Sequence, residues 1–337
     1  MANKEPLKAY LNDLDLWIVN YLASHPDAVR LIKEARQSTA SGGLTADMIE
    51  AMREACDRSL EKHHRGIFGT ARTEQALAFY KQIESFASLE NKVVMDFGCG
   101  IHECFAVAVV LWANGASHAI AVDEASIESP EYTAKFLYHW IVRCMTSPHR
   151  YLWSGVRREQ FVSRLSALGL EKLKGGAFEH IFTVLPLIHI SGKNRLDSLA
   201  DGKINYVFSQ SVLEHLQDPY GSLSQIHKKM APNGIFCCAI DYRDHRHYVT
   251  GVSPWEYLFD DGDYEPGYLN KLRHSAMMEI VHRAGFSVIS EQVVREALPD
   301  SIYEGILPKY RDLSKEDIST TASYLVLRRR ALPPSVD

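Results

Sequence analysis

The stretch Val93-Val94-Met95-Asp96-Phe97-Gly98-Cys99-Gly100 carries an apolar run into Asp-x-Gly-x-Gly, and the residues from Ile101 onward read as a helix. A short apolar run bounded in this way fits a buried parallel strand. The carboxyl end of such a strand opens on the crevice of an α/β sheet, where glycines let the backbone approach a ligand with no Cβ in between. Asp96 places a fixed negative charge at that point. A carboxylate suits a cationic group such as an ammonium or sulfonium, whereas a pyrophosphate prefers a helix N-terminus free of nearby acid. A plain strand-to-helix loop has the same five residues, so the reading depends on what surrounds them.

Three further segments follow in order. Ile101 to Gly115 has Phe105, Val109 and Trp112 at helical spacing, and His118-Ala119-Ile120-Ala121-Val122-Asp123 is a second apolar run closed by an acid. An acid at the end of the second strand, roughly 20 to 30 residues past the glycine turn, accepts hydrogen bonds from ribose hydroxyls; alone it reads equally well as a turn cap. Ile204 to Pro219 contains a third run followed by Leu213-Glu214-His215, and Met230-Ala231-Pro232-Asn233-Gly234 precedes the strand-like Ile235 to Ile240.

In this order the segments resemble the class I S-adenosylmethionine-dependent methyltransferases, over roughly residues 90 to 330. The resemblance implies S-adenosylmethionine as cofactor, held by Asp96, Gly98, Gly100 and Asp123, with His102, Glu124, Ser209 and Gln210 as further contacts. The family often has another glycine just after Gly-x-Gly. Here Ile101-His102 stands in that region, so His102 either turns away or itself touches the methionine end of the cofactor.

The expected fold is α/β, a Rossmann-like, mainly parallel sheet of seven strands flanked by helices, with strands near 92–96, 118–123, 178–185, 204–209, 235–241, 286–293 and 322–329. By the resemblance, the last two strands form a reversed hairpin at one edge. Residues 66–330 form this domain, with lid-like insertions near 129–176 and 245–270 whose many aromatic residues either wall a pocket or pack the insertions onto the sheet. Residues 1–65 read as a helical extension. Leu7, Leu11, Leu14, Trp17, Ile18 and Tyr21 make one apolar face, Met48, Met52, Cys56 and Leu60 another, and Ser38 to Gly43 is the joint. These faces must be covered, by the core domain or by a second copy in a homodimer.

With 337 residues the chain accommodates one large core plus an appendage. A net charge of −5 gives no general attraction to phosphate backbones, so nucleic acid is not expected as a partner. Arg328-Arg329-Arg330 follows an apolar run and reads as a solvated strand end. The six cysteines show neither Cys-x-x-Cys nor zinc-like spacing, which fits reduced thiols in a cytoplasmic protein. Neither a secretory leader nor a membrane span is expected, because Asp13 and Asp15 interrupt the only apolar N-terminal stretch.

Methyl transfer from a sulfonium is an in-line displacement, so holding acceptor, methyl and sulfur collinear supplies much of the rate, and an O–H or N–H acceptor must also lose a proton. The ends of the fourth and fifth strands face the same crevice. His245 is the first candidate for proton acceptor and His215 the second, with Asp241 orienting a histidine or binding an acceptor hydroxyl. Glu214, His215, Asp241, Asp244, His245 and His247 offer oxygen and nitrogen ligands, but no fixed spacing demands a metal and none is expected. The expected acceptor is a small molecule, sugar-like or a secondary metabolite, methylated on oxygen or nitrogen. The alternatives are a catalytically silent member that binds the cofactor or a partner chain, and an enzyme acting on a macromolecule.

Overall fold

The structure is a computed structural model that describes residues 71–330 apart from 102, 128, 193–195, 261 and 263–267. The expectations for residues 1–65 and for His102 therefore lie outside the described residues. Seven strands, β1 (Val93–Phe97), β2 (His118–Asp123), β3 (Leu187–Ser191), β4 (Ile204–Gln210), β5 (Met230–Asp241), β6 (Phe286–Arg295) and β7 (Thr320–Arg329), form one sheet in the order β3-β2-β1-β4-β5-β7-β6. β1 to β5 pair in parallel, and β7 lies antiparallel between β5 and β6, which is the reversed edge hairpin. The strand order reverses between β1 and β4. That switch point is where an open α/β sheet has its ligand crevice.

The third strand is displaced from its expected place. Residues 178–185 fold instead as a helical turn (Phe178–His180) and a short helix (Ile181–Val184), and β3 begins after Pro186. A short apolar run does not by itself distinguish strand from helix. Pro186 decides it: the residue before a proline avoids helical geometry, and Leu185 is extended with ψ 126°. The Pro186 carbonyl then accepts from the Ala119 amide at 3.0 Å, starting the β2–β3 ladder.

Helix α1 (Ala71–Tyr80) precedes β1, α2 (Ala106–Ala113) follows it, and α3 (Pro130–Thr146) opens the first insertion. All eight residues of α2 are buried, which explains why Ala-Val-Ala-Val-Val-Leu-Trp-Ala is helical despite its valines: the helix is enclosed on every side. Asn114 closes it, its Nδ2 donating to Val110 and Tyr151 carbonyls and its Oδ1 accepting from the Trp153 amide. α3 starts on Ser129, whose hydroxyl accepts from the Tyr132 amide, with Pro130 in the first turn. Phe136, Trp140, Tyr151 and Trp153 of this insertion are buried, and Trp140 Nε1 donates to the Ala106 carbonyl. The buried Arg143 guanidinium pairs with Glu74 at 2.6 Å and bonds Tyr151 Oη, tying α1 to α3.

In the second insertion Trp255, Tyr257 and Leu258 pack with Ile306, Tyr310 and Ile318. Arg273 anchors that insertion: it is 1% exposed and donates to the carbonyls of Tyr242, Asp317, Ile318 and Thr320 and to Tyr257 Oη. The aromatic residues of both insertions thus serve packing rather than pocket walls wherever they are buried. Among the described residues no helix is long and apolar enough to cross a membrane.

Candidate active site

A cavity of about 530 Å³ opens at the switch point. Its floor is the β1 turn, where Gly98 and Gly100 have φ of 82° and 77°, backbone that side chains rarely adopt. Gly98 has a second constraint, because a Cβ there would stand 2.1 Å from Val212 Cγ2 in the loop after β4. The Gly98 and Cys99 amides donate to the Val122 carbonyl at 2.7 and 3.1 Å, locking the turn onto β2. Asp123 completes it, accepting from the Gly100 amide at 2.8 Å and the Ala125 amide at 3.0 Å.

Asp96, Gly98, Gly100, Asp123, Glu124 and Gln210 line the cavity, as the sequence suggests. Ser209 does not. It is fully buried, and its hydroxyl donates to the Phe97 carbonyl at 2.8 Å, so it fastens β4 to β1 instead of meeting a ligand. Burial, reinforced by the Asp123 charge, pushes the Asp96 carboxyl up to about 8. Without a ligand Asp96 therefore holds its proton at neutral pH, and a cationic ligand beside it restores the carboxylate.

A further wall comes from α1, a helix that the sequence reading leaves without a site role. Arg72, Thr73, Ala76 and Tyr80 all face the cavity. The Thr73 hydroxyl donates to Glu103, another lining residue, and the Tyr80 ring packs against Phe208 of β4 with centroids 4.7 Å apart. The available signal was the spacing Thr73, Ala76, Tyr80, which puts three residues on one helical face just ahead of β1.

At the other end His215 lines the cavity and His245 does not. His245 lies behind it, with ring centroids 4.7 Å apart in an edge-on arrangement. A carbonyl can only accept, so the 2.8 Å contact between His215 Nδ1 and the Tyr268 carbonyl puts a proton on Nδ1, and in the neutral ring the lone pair is on Nε2. Burial first, then His215, lowers the His245 pKa. Asp241 is engaged elsewhere: its carboxylate accepts from the Tyr248 hydroxyl and from the Arg243 amide, and it is not a lining residue.

Glu214 is 3% exposed, and burial pushes its carboxyl up to about 8, with Asp241 adding to the effect. Its Oε1 accepts from the Asp241 amide at 3.2 Å, while Oε2 is buried with no partner; His245 Nε2 is likewise buried and unpartnered. A carboxylate oxygen of Glu214 and one ring nitrogen each from His215 and His245 lie within 4.8 Å of one another. The β1 turn with Asp96 and Asp123 and the His215 end thus share a single cavity, with Glu214 and His245 outside its lining.

Residues 70–291 match the model of a family described as a methyltransferase domain. No curated protein matches the chain in sequence. Among solved structures, an S-adenosylmethionine-dependent methyltransferase from Mesorhizobium loti is similar at 12% identity, with 76% of this chain and 98% of that one covered and a TM-score of 0.39. Phosphoethanolamine N-methyltransferase 2 of Haemonchus contortus, in complex with S-adenosylmethionine, is 14% identical over 76% of this chain and 52% of that one, with a TM-score of 0.41. The [4+2]-cyclase SpnF is 10% identical over 77% and 81%, also with a TM-score of 0.41. Identities this low concern the fold alone.

Proposed function

This chain belongs to the methyltransferase-domain family and uses S-adenosylmethionine, and we propose that it methylates an oxygen or nitrogen of a small-molecule acceptor, sugar-like or a secondary metabolite, that enters beside His215. The observation that carries this reading is the shared cavity, lined at one end by Asp96, Gly98, Gly100 and Asp123 and at the other by His215 and Leu216. Asp123 receives the ribose hydroxyls, and Asp96 faces the positive charge of the methionine portion. The sulfonium methyl then points toward the β4 end. The acceptor atom's electron pair forms the new bond to the methyl carbon as the carbon–sulfur bond breaks and its pair remains on sulfur.

Proton removal from the acceptor falls to the histidine end. Sequence placed His245 first and His215 second; position in the cavity wall supports the reverse order, with His245 behind His215. Asp241 supports the β5 loop through Tyr248 and Arg243. A cavity of about 530 Å³ is of the size that takes a cofactor and small ligands, which is in keeping with a small acceptor. Cys99, Cys104, Cys144, Cys237 and Cys238 are all free and buried, in keeping with a reducing, cytoplasmic setting.

The test is calorimetric titration of the full chain with S-adenosylmethionine, followed by a radiolabelled methyl-transfer assay over a panel of hydroxylated and amine-bearing small molecules. Binding with transfer to a panel member is the expected result. Binding with label passing only to protein or RNA overturns the small-molecule reading, and binding without any transfer supports the silent alternative.

A further inference from the structure

We propose that Glu214, His215 and His245 form a site for one divalent first-row transition-metal ion at the acceptor end of the cavity. The site takes an acceptor hydroxyl as a further ligand. The inference rests on the methyl-transfer reading for that last step and gives the two histidines a different task, as ligands rather than as the direct proton acceptor.

Four observations meet here. The three donor atoms lie within 4.8 Å of one another and come from two separate segments, the turn after β4 and the loop after β5. Donors about 2.1 Å from a common ion stand roughly 3 to 3.5 Å apart, so binding draws each inward by less than about 1 Å. Second, two polar atoms of this group lack partners: Glu214 Oε2 and His245 Nε2 are buried with no hydrogen bond. In a native structure, an orphaned carboxylate oxygen and an orphaned imidazole nitrogen in one such group call for a water, a proton or an ion.

Third, the supporting contacts are those of ligating side chains. The Tyr268 carbonyl fixes the His215 tautomer so that Nε2 is free, and the Asp241 amide holds Glu214 Oε1 so that Oε2 points onward. The carbonyl contact orients the histidine and raises its basicity, and the amide contact orients the carboxylate. Fourth, the Glu214 carboxylate is the group's own balance for an ion. On the β5 side Asp241 and Asp244 are each paired with an arginine, Arg243 at 4.0 Å and Arg246 at 2.5 Å. Arg72 opposes a cation from the cavity side, but it is exposed and its field is screened by solvent.

Two imidazoles and one carboxylate select manganese, iron, cobalt, nickel or zinc over magnesium or calcium, which prefer all-oxygen shells. Three protein ligands leave coordination positions open. His215 is the ligand exposed in the cavity wall, so an open position faces the acceptor space. A hydroxyl bound there loses its proton to water more readily, with the electron pair staying on oxygen to attack the methyl carbon.

The experiment uses the full chain, stripped with EDTA, desalted, and titrated with CoCl2 by visible absorption and with MnCl2 by electron paramagnetic resonance. One equivalent of Co2+ is expected to develop ligand-field bands of a mixed nitrogen–oxygen site. Glu214→Gln and His245→Ala are each expected to weaken binding tenfold or more, and S-adenosylmethionine affinity, measured on the same samples, reports that the variants are folded. Unaltered ion affinity in both variants, or no ion bound above the level of those variants, overturns the site. Stoichiometric binding combined with transfer to hydroxyl acceptors that is insensitive to EDTA overturns its role in the reaction. Ion binding without any methyl transfer leaves the site standing and removes the methyl-transfer reading instead.

Discussion

The two ends of the cavity are built by different means. At the cofactor end the geometry belongs to the backbone: Gly98 and Gly100 in left-handed conformation, amides of Gly98 and Cys99 on the Val122 carbonyl, and Asp123 closing the turn. At the acceptor end it belongs to side chains brought together from the turn after β4, the loop after β5 and the Tyr268 segment. A backbone device fixes residue types at close spacing along the chain, whereas side-chain convergence depends on how distant loops pack.

If this division is correct, the largest effect lies at the acceptor end. Replacing His215 or His245 by alanine should lower turnover by about 10² or more while S-adenosylmethionine affinity stays within a few-fold. Single-turnover rates and calorimetry on the same variants measure both. A loss of cofactor affinity as large as the loss of rate breaks the comparison, because the two ends would then be one unit.

Gly98→Ala attacks the cofactor end through the backbone. Its positive φ and the 2.1 Å approach to Val212 Cγ2 both oppose a methyl group. Left-handed strain of about 1 to 2 kcal/mol and overpacking of about 1 to 3 kcal/mol are the expected losses in stability. Adding Val212→Ala should return most of the packing part, since only the Val212 Cβ at 3.0 Å is left, and keep the strain, as read from urea midpoints. Full recovery would mean that the backbone conformation contributes nothing.

Asp123→Ala is expected to weaken S-adenosylmethionine tenfold or more, since a hydrogen bond to a charged group contributes about 1.5 to 3 kcal/mol. The same carboxylate also holds the Gly100 and Ala125 amides, so amide hydrogen exchange should accelerate at both positions. Unchanged affinity with faster exchange would assign Asp123 to the turn alone.

The uneven legibility of the sequence follows from the same division. The glycine turn, the acid that closes β2 and the strands they belong to are readable because each is a local constraint with few alternative residues. β3 was misplaced because Phe178 to Leu185 and Leu187 to Ile190 are both short apolar runs, and only Pro186 separates a helical from an extended outcome. The wall supplied by α1 is faint for another reason: the spacing of Thr73, Ala76 and Tyr80 marks only an ordinary helix face, and what gives it a role is the packing of Tyr80 on Phe208 of β4. His215 and His245 were both identified, but their order in depth is a property of loop packing that spacing does not encode.

Ser209 gives the smallest effect and the finest test of where the cofactor end stops. The sequence counts it among the cofactor contacts because it stands at the end of β4 beside Gln210, yet strand alternation sends neighbouring side chains to opposite faces. Gln210 faces the cavity, while the Ser209 hydroxyl turns to the Phe97 carbonyl at 2.8 Å. Ser209→Ala should therefore change S-adenosylmethionine affinity by less than about threefold and lower stability by roughly 1 kcal/mol for the lost buried hydrogen bond. Denaturation midpoints and calorimetric titration separate the two readouts. A tenfold loss of affinity at unchanged stability would return Ser209 to the ligand and extend the cofactor end one residue further down β4 from Gln210. A stability loss alone stops that end at Gln210, with Ser209 acting on the cofactor only through β1, the strand it is fastened to.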